Sequence, residues 1–135
     1  MLLKPKASKF AKAHKGRVSS NFKTSQNLVK GSIAIVALQP SRLTAAQIAA
    51  VDLTIKRALK KEGELFWRVF PHIPASAKPA EVRMGKGKGS NDFWYTRIQP
   101  GAIILELVCS NHNLAYLSLL SARSKFPFKS FIISP

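Results

Sequence analysis

The chain has one cysteine, Cys109, in 135 residues. A lone thiol cannot close an internal disulfide, so nothing points to a small secreted scaffold held by cross-links. Acids are scarce as well, 6 against 22 Lys+Arg, and none precedes Asp52. The six form no evident pair for general acid–base chemistry, and no Ser–His–acid set stands out. His14, His72 and His112 lie far apart, with Cys109 near only one of them. Metal sites show tighter ligand spacing, so neither a metal site nor a cofactor is expected. No apolar run approaches the roughly 20 residues that span a bilayer, and there is no secretory apolar region.

Positive charge is what remains. The formal net charge is +16, while 46% of residues are hydrophobic. That hydrophobic content suits one folded domain. That much self-repulsion opposes compaction unless a polyanion neutralises it. Nucleic acid is the usual neutraliser and an anionic membrane surface the next. Membrane binding needs a strong apolar helix face beside the lysines, and the basic N-terminal stretch lacks one. Its bases are mostly lysine, and Pro5 and Gly16 interrupt it, so it is expected to belong to the mature protein rather than to a transit peptide.

Residues 1–30 therefore read as a basic arm without a clean helix or strand period, and residues 31–135 as one domain. Residues 31–38, GSIAIVAL, predict a buried strand. Thr44-Ala-Ala-Gln47 fits a capping box, and Ile48, Val51, Ile55 and Leu59 follow at helical spacing. Lys56, Arg57, Lys60 and Lys61 gather near the end of that helix, with Gly63 as its expected stop. Residues 64–70 predict a strand, and the proline-rich 71–81 a loop or an extended edge. Residues 93–99 and AIILELV (102–108) predict a hairpin across Pro100-Gly101. A second helix is expected from about 111 to 126 with Leu114, Leu117, Leu120 and Phe126 inward, then a strand at 128–134. Helices mixed with hairpin strands give an α+β fold, a two-layer α/β sandwich behind the arm.

The stretch VRMGKGKG at 82–89 fits no enzyme motif. A P-loop needs Gly-Lys followed by Ser or Thr, and no such triplet exists. A dinucleotide fingerprint needs a helix afterwards, and a strand is expected instead. As an RNA contact the stretch makes better sense. Glycine lets the backbone approach another backbone closely, its N–H groups suit phosphate oxygens, and Arg83, Lys86 and Lys88 add charge. A solvated hairpin tip is the plainer alternative. Phe93, Trp94 and Tyr95 could stack on bases, but aromatics mainly pack.

Several stretches occur together and in order: KPKASKFAKAHKGR (4–17), SRLTAAQI (41–48), WRVFPHIP (67–74), KPAEVRMGKGKG (78–89) and IQPG (98–101). In these the chain closely resembles the bacterial-type L-sixteen family of large-subunit ribosomal proteins. After residue 101 the similarity thins to a strand-helix-strand outline. The resemblance implies an α/β sandwich with a basic extension, bound to large-subunit rRNA, and no enzyme. It also implies that the Gly/Lys loop reaches toward the peptidyl-transferase centre and A-site tRNA. The Leu-, Ile-, Phe- and Ser-rich C-terminal third resembles ribosomal proteins encoded in mitochondria. A mitochondrial ribosome is therefore expected ahead of a plastid or a bacterial cytoplasm.

On that reading rRNA contacts are expected at Lys4, Lys6, Lys9, Lys12, Lys15, Arg17, Arg42, Lys56, Arg57, Lys60 and Lys61. Arg83, Met84, Gly85, Lys86, Gly87, Lys88 and Gly89 are expected nearest the tRNA path. Neighbouring large-subunit proteins are the remaining partners. No membrane contact and no homo-oligomer are expected.

Overall fold

A computed structural model describes residues 2–19 and 27–134. Its elements run β1 (Ile33–Ala37), β2 (Ser41–Thr44), α1 (Ala45–Leu59), β3 (Gly63–Trp67), β4 (Ile73–Ala77), β5 (Ser90–Ile98), β6 (Ile103–Cys109), α2 (His112–Arg123) and β7 (Ser130–Ile133). A four-stranded sheet has the order β3-β6-β1-β7, and a three-stranded sheet the order β2-β5-β4. Every pairing is antiparallel. The expected α+β sandwich is present, with a second small sheet beside it.

β1 is Ile-Ala-Ile-Val-Ala and wholly buried. β-Branched residues suit a pleated strand, and alternation sends its side chains to two faces. Ile33, Ile35 and Ala37 join Leu105 and Leu107 of β6 in the main core, with Ile48, Val51, Ile55 and Leu59 of α1 and Leu119 of α2. Each fully buried side chain of this size contributes about 1.5–3 kcal/mol. Ala34, Val36 and Ile103 face the other way, under Leu28, Phe131 and Ile133.

α1 begins as expected. The Thr44 hydroxyl accepts from the Gln47 N–H at 3.3 Å, and the Gln47 amide oxygen accepts from the Thr44 N–H at 2.9 Å. Its end differs from expectation. Lys60 and Lys61, at φ 47° and 81°, make the left-handed exit. The Lys60 N–H caps the Lys56 carbonyl, and Gly63 already belongs to β3.

Three other expectations are corrected. β5 and β6 do not form a hairpin: the chain reverses at Pro100-Gly101 but changes sheet. The Gly101 N–H donates to the Ala37 carbonyl at 2.7 Å, which draws the entrance of β6 to β1. Ser41–Thr44 forms a strand, β2, where none was expected, whereas Ile73–Ala77, in the stretch read as a loop or an extended edge, is the edge strand β4. In α2 the buried residues are Ala115, Ser118, Leu119 and Ala122. Leu117 and Leu120 are exposed, at 59% and 44%. The small residues let α2 approach α1 closely beside the buried Leu119, which leaves Leu117 and Leu120 outside. Leu114 packs at the core edge and Phe126 is buried, as expected.

Candidate nucleic-acid interface

The Gly/Lys loop is the long tip of the β4–β5 hairpin, whose last pair is Ala77 with Ser90. Residues 81–88 are all exposed, Met84 at 97%. Gly85 and Gly87 have φ of 97° and 89°, and a Cβ at either would meet nothing within 4 Å. Glycine is needed here for backbone conformation rather than for space. Lys86, between them, is also left-handed at φ 55°. Lys78 closes the base of the loop by donating to the Gly85 carbonyl. The result is a thin cationic projection.

The arm lies against the small sheet. β5 alternates, so Phe93, Tyr95 and Arg97 share the face opposite Thr96 and Ile98. Arg97 stands directly across from Arg42 of β2. Opposed like charges are unfavourable in a strand pair, and arm carbonyls offset the repulsion. Arg42 donates to the Gly16 carbonyl at 2.7 Å, and Arg97 donates to the carbonyls of His14 and Lys15 at 3.2 and 3.0 Å. The Tyr95 hydroxyl reaches the Lys15 carbonyl at 3.4 Å, and the arm leaves that ring only 4% exposed. Arg42 also lies 5.8 Å above the same ring, a cation–π contact.

Arm and loop also touch. Lys12 Nζ donates to the Lys88 carbonyl at 2.7 Å, and Lys88 Nζ donates to the Ala13 carbonyl at 2.5 Å. Of the expected contact residues, the structure thus gathers Lys12, Lys15, Arg42 and Lys88 at one place. Lys4, Lys6, Lys9 and Arg17 are exposed along the arm. Lys56, Arg57, Lys60 and Lys61 form a separate exposed group at the end of α1, where Lys56 is already paired with Asp52 at 2.7 Å. Arg97 stands at the same place without being among the expected contact residues. Its signal was alternation with Phe93 and Tyr95 in a strand carrying no other base.

One acid organises the junction between arm and domain. Glu106 of β6 is wholly buried. Its Oε2 accepts from the N–H groups of Lys30 and Gly31, both at 2.8 Å, and of Val29 at 3.2 Å. Its Oε1 accepts from the Arg68 guanidinium. Burial by itself raises the carboxyl pKa, but the donors of Lys30, Gly31, Val29 and Arg68 outweigh it and hold the group below its ordinary value. Three successive N–H groups around one oxygen form an anion nest, filled here by the protein's own carboxylate. The sequence signal was a single acid inside the apolar run AIILELV.

No group of His, Cys, Asp and Glu among the described residues could hold a metal ion. None of the described helices is long and apolar enough to cross a membrane.

Residues 5–133 match the family of ribosomal protein L16p/L10e. The chain belongs to that family. The match extends through the C-terminal third, where the resemblance read from sequence had thinned. A protein named large ribosomal subunit protein uL16 from Sphingopyxis alaskensis is 46% identical over 133 residues, 98% of this chain and 93% of the relative. Proteins of the same name from Paracoccus denitrificans and Maricaulis maris are each 44% identical, over 98% of this chain and 97% of their own. Members of this family are structural, non-enzymatic ribosomal proteins, which agrees with the reading of the chain as no enzyme.

Proposed function

We propose that this family member is a structural constituent of the large ribosomal subunit that binds large-subunit rRNA and supports the positioning of A-site tRNA. One observation carries the reading. The Gly/Lys loop projects clear of the domain, and its base is clasped to a basic arm. A projection with little side-chain bulk fits between polyanions, where backbone N–H groups and lysines meet phosphate oxygens. In this reading residues 1–30 are the rRNA-binding arm and residues 31–135 the sandwich domain. Lys4, Lys6, Lys9, Lys12, Lys15, Arg17, Arg42 and the α1-end cluster take phosphates, while Arg83 to Gly89 face the tRNA path. Counterion release supplies most of the affinity, and RNA shape supplies most of the specificity.

The partners are large-subunit rRNA, A-site tRNA and neighbouring large-subunit proteins, with no membrane, cofactor or second copy required. The mitochondrial ribosome is the proposed location, on the composition of the C-terminal third. The relatives named above are bacterial, so a bacterial cytoplasm is the alternative, with a plastid next. Ribosomes carrying the Lys86→Ala, Lys88→Ala double variant test the loop. Impaired A-site tRNA binding or late subunit maturation supports the reading, and wild-type rates of both remove it.

A further inference from the structure

Between the arm, the small sheet and the loop lies a cleft of about 430 Å³. Lys15, Arg42, Ser76, Lys88, Phe93 and Tyr95 are among its walls, and none of the described residues lining it is an acid. We propose that this cleft holds one unstacked nucleotide of large-subunit rRNA, its base against Phe93 and its phosphate among Lys15, Arg42 and Lys88. The inference rests on the rRNA-binding reading above and adds to it a specific site.

The chemistry of the walls selects the ligand. Three cations with no acid among them ask for an anion. An aromatic ring on a largely apolar wall asks for a flat π system. A nucleotide supplies both within one residue of chain, and a cleft of this volume lies within the range that holds a small ligand. Phe93 is 44% exposed, whereas Trp94 is half-buried and Tyr95 and Thr96 are buried beyond it. It is therefore available as a stacking platform, while Tyr95 is covered by the arm and forms wall.

The cations have donors to spare. An ammonium carries three and a guanidinium five. Lys88 gives one to the Ala13 carbonyl, and Arg42 gives one to the Gly16 carbonyl. Arg42 Nε and Ser76 Oγ, both in wall residues, are shielded from solvent without a hydrogen-bond partner among the described residues, so the wall carries polarity that these residues leave uncompensated. A phosphate oxygen is a stronger acceptor for these groups than a neutral carbonyl. Because Lys15 comes from the arm and Lys88 from the loop, the cleft is complete only with the arm docked.

The test is binding of the full chain to its protein-free large-subunit rRNA, across a series of salt concentrations, for wild type, Phe93→Ala and Phe93→Trp. Stacking of one base predicts that Phe93→Ala weakens binding by at least roughly fivefold with the salt slope unchanged. Phe93→Trp restores affinity, and thermal unfolding confirms that both variants fold. Wild-type affinity in folded Phe93→Ala overturns the cleft while leaving rRNA binding intact. Failure of the wild-type chain to bind this rRNA overturns the underlying reading instead. Titration with a nucleoside 5′-monophosphate separates the two sources of nucleotide. Weak, unsaturated binding is expected, and tight saturable binding would assign the cleft to a free nucleotide and overturn the rRNA source.

Discussion

Arg68, just past the end of β3, pairs with Glu106 of the neighbouring β6, and that carboxylate is wholly buried. The two partners are unequal. Arg68 is 40% exposed in its side chain, so its share is screened by water and small. The three N–H groups of Val29, Lys30 and Gly31 have no comparable substitute for the carboxylate. In a chain with so few acids, this one fastens the arm's root to the larger sheet.

Removing the carboxylate strands those donors. Glu106→Ala is expected to lower stability by about 3 kcal/mol, and Glu106→Gln by less, since the amide oxygen still accepts. Arg68→Met should cost under about 1 kcal/mol. Urea unfolding midpoints rank the three variants.

The same group sets a pH dependence. Its folded pKa lies below the unfolded value, so the unfolded state binds the proton first as pH falls. The stabilisation is complete above the unfolded carboxyl pKa and is lost as pH falls through the lowered folded value. Wild type should therefore lose stability in acid more steeply than Glu106→Gln, as shown by unfolding midpoints measured from neutral pH downward.

The exit of α1 is strained at Lys61, which sits at φ 81°. Left-handed backbone is unfavourable for a side chain with a Cβ. Lys61→Gly is expected to stabilise the protein by about 0.5–1 kcal/mol, while Lys61→Ala gives no such gain. A rise in Tm for the glycine variant alone checks this.

Gly16 is the point at which the arm crosses the Arg42–Arg97 pair. Its φ is 57°, and a Cβ there would lie 2.6 Å from an Arg97 guanidinium nitrogen. Gly16→Ala should loosen the docked arm by about 1–2 kcal/mol and leave the domain's unfolding midpoint unchanged. Limited trypsin digestion should then cut after Lys15 and Arg17 several-fold faster.

The Lys86→Ala, Lys88→Ala double variant should fold normally, because residues 81–88 have no core role. Loss of two phosphate contacts should reduce the slope of log affinity for rRNA against log salt by about 1.4 to 1.8. An unchanged slope would remove both lysines from the interface.

What was legible in the sequence was local chemistry. The capping box at Thr44, the apolar stripe of α1, the buried β1 and the isolated glycine loop all follow from short patterns. Partner choice was not legible. Pro100-Gly101 signals a chain reversal, but only backbone bonding to Ala37 shows that β6 joins the other sheet. β4 was legible only as one of two alternatives, a loop or an extended edge, because an edge strand tolerates Pro74 on the side with no ladder to complete. The face of α2 does not follow its leucine spacing, because the small Ala115, Ser118 and Ala122 take the buried side, where close helix approach decides. Of the candidate site, the residue types were visible from their charge. The arm's return across Arg42 and Arg97 was not, because it joins segments some eighty residues apart. Glu106 was overlooked for the same reason.

The most direct measurement is sedimentation of the tagged chain from whole-cell and organelle lysates, in gradients of moderate and then high salt, with the RNA of each fraction identified. Co-migration with large-subunit rRNA that survives high salt is the predicted result, and the identity of that rRNA assigns the compartment. Migration at the top of both gradients, without rRNA, would contradict a role for this chain in the large subunit.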